Sequence, residues 1–119
     1  MPLRVIDEEE RVVHLALSGS LDLAGVREVE LKFLELTGSQ AKPALVDLSE
    51  VKFMASLGMR MLLEAARSLH RKGAALVLLR PRPMVEDALR VAGITDLIPM
   101  FHDEAQARAA LLSNQEKTP

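Results

Sequence analysis

Two short apolar runs constrain this chain more than any other feature. ALVDL at residues 44–48 and AALVLL at residues 74–79 read as interior strands covered on both faces, the kind found in parallel sheets. Between them lies LGMRMLLEAARSLHRKG, in which Leu62, Ala65, Ala66 and Leu69 recur at i, i+3, i+4 and i+7. Parallel neighbours cannot be joined by a tight turn and need a crossover, usually a helix. A strand, a helical stripe and a second strand meet that requirement.

The rest of the chain extends the alternation. LRVID (3–7) and RVVHLALS (11–18) predict two strands around the acidic tetrad Asp7 to Glu10, a solvated hairpin turn. Val13, Leu15 and Leu17 alternate with Val12, His14 and Ala16, giving one apolar and one mixed face. GSLD (19–22) ends the strand. A helix follows with a broad stripe of Leu23, Val26, Val29, Leu31, Phe33, Leu34 and Leu36, stopped at Gly38. Arg71 and Lys72 suit the negative end of the next helix, and Gly73 caps it. RPRP turns the chain into MVEDALRVAG, a helix ended by Gly93, then a short strand over 97–101. DEAQARAALL forms a last helix with Asp103 as N-cap. The expectation is an α/β fold, a mixed and mostly parallel sheet packed against about four helices. Residues 1–112 would form the single domain and 113–119 a flexible tail.

Composition removes several function classes. A formal charge of −2 offers no basic stripe for nucleic acid or an anionic membrane surface. There is no cysteine, hence no disulfide, thiolate chemistry or cysteine metal site. No apolar run approaches the roughly 20 residues that span a bilayer. The N-terminus MPLRVIDEEE is acidic where a secretion signal is apolar, so a cytoplasmic protein is expected. His14, His70 and His102 show no metal-binding spacing, and no glycine pattern matches a nucleotide loop. Ser56 lacks the flanking glycines of a nucleophile elbow. Asp47 ends a central strand, as a phosphorelay acceptor does, but the strand HLALSGS ends without the acidic pair that would hold magnesium, Asp22 being a lone candidate. No catalytic constellation, cofactor or metal is expected.

That leaves FMASLGMRMLL (53–63), where Ser56 stands between a strand and a helix with glycine two positions on. As an N-cap, Ser56 would accept a bond from the N–H of Gly58 or Met59, worth about 1 kcal/mol. It is also a place where something can be attached. GSLD, a helix, ALVDLSEVKFMASLG, a helix ending in KG and a further strand together resemble the STAS domains, in particular bacterial anti-sigma factor antagonists. The resemblance runs from about residue 3 to residue 112. It implies that Ser56, in a turn of pattern D-S-x-G, is phosphorylated by a serine/threonine kinase that is also the anti-sigma factor. The unmodified protein would bind that kinase and release a sigma factor, and a PP2C-like serine phosphatase would reset it. Partner contacts would fall on Ser20, Asp22, Ser56, Leu57, Gly58, Met59 and Arg60, with Asp22 beside Ser56 at one end of the sheet. The implied protein uses no cofactor, no direct nucleic-acid contact and no membrane insertion. Ala55 departs from the family pattern, which has aspartate before the serine. It keeps open an alternative: a STAS interaction subunit of a stressosome-like scaffold or lipid-transport assembly that no kinase recycles.

Overall fold

The computed structural model describes residues 2–8 and 11–116. Glu9 and Glu10 of the expected acidic turn, and residues 117–119 of the expected tail, lie outside the described residues. The elements are β1 (Leu3–Glu8), β2 (Val13–Leu21), α1 (Leu23–Leu36), β3 (Ala44–Met54), α2 (Ser56–Arg71), β4 (Leu76–Leu79), α3 (Pro83–Val91), β5 (Met100–Phe101) and α4 (Glu104–Glu116), with a 3₁₀ turn over Ile94–Asp96. They build one sheet in the order β1-β2-β3-β4-β5. β1 runs antiparallel to β2, and every other pair is parallel.

Each crossover steps one strand in the same direction. Such crossovers share one hand, which puts their helices on one face of the sheet. The core shows this arrangement. Val26, Val29 and Phe33 of α1, Met61, Leu62, Ala65 and Leu69 of α2, and Val85 and Leu89 of α3 pack with Leu15, Leu17, Val46 and Leu78. The opposite face is thinner: Leu45, Val77 and Leu79 meet Ala107, Leu111 and Leu112 of α4, with Val12, Ala75 and Phe101 beside them. β3 and β4 are therefore apolar on both sides, as their compact runs require, while β2 turns Leu15 and Leu17 inward and His14 toward α4.

Three features depart from the expected pattern. The stripe of α1 is narrower, because Leu31 is 85% exposed and Leu23 53% exposed. Its buried positions 26, 29, 33 and 36 follow strict 3-4-3 spacing, and Leu31 falls on the far side of that helix. β3 runs to Met54 rather than stopping at residue 48, because the end of β2 continues beside it. β5 keeps only two residues of the expected 97–101, since the 3₁₀ turn and Pro99 occupy the approach. Asp103 does cap α4, its Oδ1 accepting from Ala105 N–H at 2.8 Å, and that helix continues to Glu116.

Candidate functional site

The extension of β3 creates the site. Past two register shifts, each adding one residue to β3, β2 and β3 finish together, with Ser20 opposite Phe53 and Leu21 opposite Met54. The Leu21 carbonyl then accepts a hydrogen bond from Ala55 N–H at 3.1 Å. This bond ties the start of α2 to the start of α1, so two helix N-termini emerge side by side from one edge of the sheet. Their free N–H groups and dipoles make that edge locally electropositive.

Both starts approach the sheet closely, and glycine makes that possible. A Cβ on Gly25 would lie 1.9 Å from the Ser20 carbonyl oxygen. On Gly58 it would lie 2.7 Å from Met54 Sδ and 2.9 Å from Leu21 Cβ. Gly58 is thus a buried packing residue, which accounts for the glycine two positions after Ser56.

The caps differ. Asp22 caps α1, its Oδ1 accepting from Gly25 N–H at 3.0 Å. Ser56 does not cap α2, contrary to the N-cap expectation. The cap is Ala55, which holds the extended backbone of a cap residue (φ −91°, ψ 172°), whereas Ser56 is already the first helical residue. The Ala55 carbonyl accepts from Gly58 N–H at 3.0 Å and Met59 N–H at 3.2 Å. Ser56 is exposed, and its hydroxyl has no hydrogen-bond partner among the described residues.

The other expected site residues divide by burial. Ser20 and Arg60 are exposed, and Asp22 is half-buried at its cap. Leu57 and Met59 are half-buried and pack against the main core, so neither is a free surface group. Two residues absent from the expected set belong to the same edge. Phe53, beside Ser20, is 50% exposed, and Leu23, next to the Asp22 cap, is 53% exposed. No sequence signal marked Phe53, because the part of β3 that carries it depends on pairing with the end of β2. For Leu23 the available signal was a leucine three residues before the first buried stripe position.

The other candidates lie elsewhere. Asp47 is on the α4 face, where Oδ1 accepts from Ser49 N–H at 2.8 Å and Oδ2 lies 3.7 Å from the Arg80 guanidinium. His14 Nδ1 lies 3.2 Å from an Arg108 nitrogen of α4, and His102 Nε2 lies 3.0 Å from Glu86 Oε1. That contact and a 2.7 Å bond from Arg90, the stronger influence, hold the Glu86 carboxyl below the usual carboxylate range. His70 is exposed at the end of α2. No helix among the described residues is long and apolar enough to cross a membrane.

Comparison with known proteins agrees with this architecture. BtrV of Bordetella bronchiseptica, whose name marks it as a candidate anti-sigma factor antagonist, is 22% identical over 105 residues, or 88% of this chain and 90% of BtrV. SpoIIAA in its unphosphorylated form, also named as an anti-sigma factor antagonist, superposes with a TM-score of 0.76 at 22% identity, covering 93% of this chain and 96% of SpoIIAA. The phosphorylated form of the Bacillus protein gives 0.67 at 19% identity, over 91% and 98% of the two chains. The STAS domain of a Vibrio cholerae SulP transporter gives 0.69 at 26% identity, over 93% and 88%. The family model described as Mlab, STAS domain matches residues 5–99. With most of its length matched in this way, the chain belongs to the STAS domain family.

Proposed function

We propose that this STAS domain is an anti-sigma factor antagonist: it binds an anti-sigma factor that is also a serine kinase, releases a sigma factor, and is switched off by phosphorylation of Ser56. The observation that carries this reading is the state of Ser56. Its hydroxyl is exposed, engaged by nothing among the described residues, and stands over two adjacent helix N-termini. A structural cap would be occupied; this one is available. The relatives named above as antagonists support the reading, as does SpoIIAA, whose fold exists in both unphosphorylated and phosphorylated forms.

The physical effect of the modification follows from its place. A phosphoryl group brings about −1.5 to −2 charges to a neutral surface. Within the domain the anion is welcome, because helix N–H groups point toward it and Arg60 lies one turn along α2. The domain therefore stays folded. The cost falls on the complex, where a phosphate pressed against acidic or apolar partner atoms is desolvated without a paired cation. Each 1.4 kcal/mol lost is a tenfold loss of affinity, so a few suffice for a switch. The docking surface comprises the exposed Ser20, Ser56 and Arg60 and the half-buried Asp22, extended by Leu23 and Phe53, while Leu57, Gly58 and Met59 support it from the core side. A PP2C-like phosphatase resets it.

Intact-mass analysis of the protein from its own cells, with fragmentation, tests the switch. The expected result is a fraction carrying one phosphoryl group on Ser56. Unmodified protein across growth and stress conditions would overturn it. That outcome would favour the second reading, a STAS subunit of a scaffold or lipid-transport assembly. Ala55, which leaves the α2 cap without a side-chain bond or a charge for a kinase to read, is the observation on its side.

A further inference from the structure

The flank of α2 that leads away from Ser56 is open. Two cavities of about 510 and 590 Å³ lie along it and share Leu63, Arg67 and Arg71, so they form one trough. The first opens at Ser56 and Arg60; the second ends at Leu97, Ile98 and Pro99. Half-buried Met59, Leu63 and Ala66 line it from α2, facing Ile94 and Ile98. Leu97 on the rim is 64% exposed.

The charges along this trough are one-sided. Arg60, Arg67 and Arg71 are exposed on its α2 side, and Glu64 is the one acidic side chain lining it. Among the described residues, none of the three arginines makes an ion pair or hydrogen bond. Four arginines elsewhere pair with carboxylates, Arg4 with Glu50, Arg80 with Asp47, Arg90 with Glu86 and Arg108 with Glu104, whereas Arg11 and Arg27, like the trough arginines, have no such pair among the described residues. A protein of formal charge −2 thus gathers three guanidinium groups against a single carboxylate, Glu64, beside an apolar floor.

We infer that the α2 trough is a docking groove for an acidic amphipathic segment of a partner protein. At 1.5 Å per residue the arginines stand roughly 10 Å and 6 Å apart along the helix axis. A single-headed anion such as a fatty acid needs its cations gathered at one end. Cations strung along an apolar trough instead match carboxylates repeated along a helix whose other face is apolar, the helix-in-groove mode of recognition. Guanidinium groups also suit carboxylates geometrically, since they can bond them bidentately. The groove shares Ser56 and Arg60 with the docking surface proposed above, together with the supporting Met59, and runs beyond it to Leu97, Ile98 and Pro99.

The test uses the folded domain labelled with ¹⁵N and a synthetic helical peptide, leucine on one face and glutamate on its flanks, long enough to lie along α2. Amide shifts are expected along α2 and over residues 92–99. Affinity should fall about tenfold when Arg67→Glu and Arg71→Glu are combined, and should fall with added salt. Both positions are exposed, so the double variant should stay folded; its melting temperature, lowered slightly because Arg71 sits at the negative end of α2, is measured alongside. Equal binding by the same peptide carrying lysine for glutamate would overturn the proposal. So would shifts outside the groove, no binding, or tighter occupation by a single-stranded oligonucleotide or by dodecyl phosphate. Intact-mass analysis reads phosphorylation of Ser56 and the peptide titration reads the groove, so a failure of the kinase reading and a failure of this one give different results.

Discussion

The starts of α1 and α2 solve one structural problem with two chemistries. DLAG at 22–25 and ASLG at 55–58 each place a cap residue in extended backbone and a glycine three positions later, pressed against the sheet. In the first, an aspartate closes the helix onto the glycine N–H. In the second, alanine leaves that work to its own carbonyl. The first start is structurally complete without a partner. The second presents an exposed hydroxyl with no partner among the described residues beside the positive end of a helix. Two nearly superimposable geometries therefore differ in whether the side chains finish the helix or leave it open.

The glycines probe the shared half of this comparison and should give the largest effects. Gly25→Ala drives a methyl into the Ser20 backbone oxygen, which cannot move without breaking the ladder. A loss of about 3 kcal/mol is expected, the upper end of over-packing costs. Gly58→Ala should cost less, about 1–2 kcal/mol, because its tightest contact, Met54 Sδ, belongs to a flexible side chain and Leu21 Cβ and the Leu21 carbonyl oxygen stand at 2.9 and 3.0 Å rather than 1.9 Å. Chemical denaturation of both variants measures the difference. Equal losses would mean that the two approaches are not ranked by what the methyl meets.

The caps probe the half that differs. Asp22→Ala should cost about 1 kcal/mol, as the loss of an aspartate cap does. Ala55→Asp should do the reverse, gaining about 0.5–1 kcal/mol, because the backbone at residue 55 already has the geometry that Asp22 uses. At roughly 4 °C per kcal/mol, both shifts are visible in a melting curve. A destabilising Ala55→Asp would show that the second start cannot take an acidic cap, and that the two geometries only look alike.

Much of this was legible in the sequence. The compact runs at 44–48 and 74–79 dictated parallel strands, and the spacing of Leu62, Ala65, Ala66 and Leu69 dictated the helix between them. Burial in the core enforces both patterns, so they survive folding intact. What was not legible depended on non-local pairing. The second half of β3 exists only because Ser18 to Leu21 lie beside it, and neither segment signals the other. The cap of α2 moved one residue, from Ser56 to Ala55, because that choice rests on a backbone angle set by the bond from Ala55 to Leu21. The arginine trough needed the packed partner of α2: in sequence, Arg60, Arg67 and Arg71 look like an ordinary solvated face, and only the apolar wall from Ile94 and Ile98 turns them into a rim.

The smallest expected change in stability belongs to the residue with the largest proposed role. Ser56→Glu puts an anion at the first position of α2, where the helix dipole favours it by about 0.3–1 kcal/mol at an exposed site. No hydrogen bond among the described residues is lost, because the serine makes none. The melting temperature should therefore hold or rise slightly, and the gain should shrink in high salt as the dipole interaction is screened. A clear loss of stability would mean that the hydroxyl is engaged after all, returning α2 to the class of α1, a helix whose start is already complete. A stable variant would keep the two starts distinct. It would also show that charge at Ser56 can be added without disturbing the fold, the condition any switch acting through partner binding must meet.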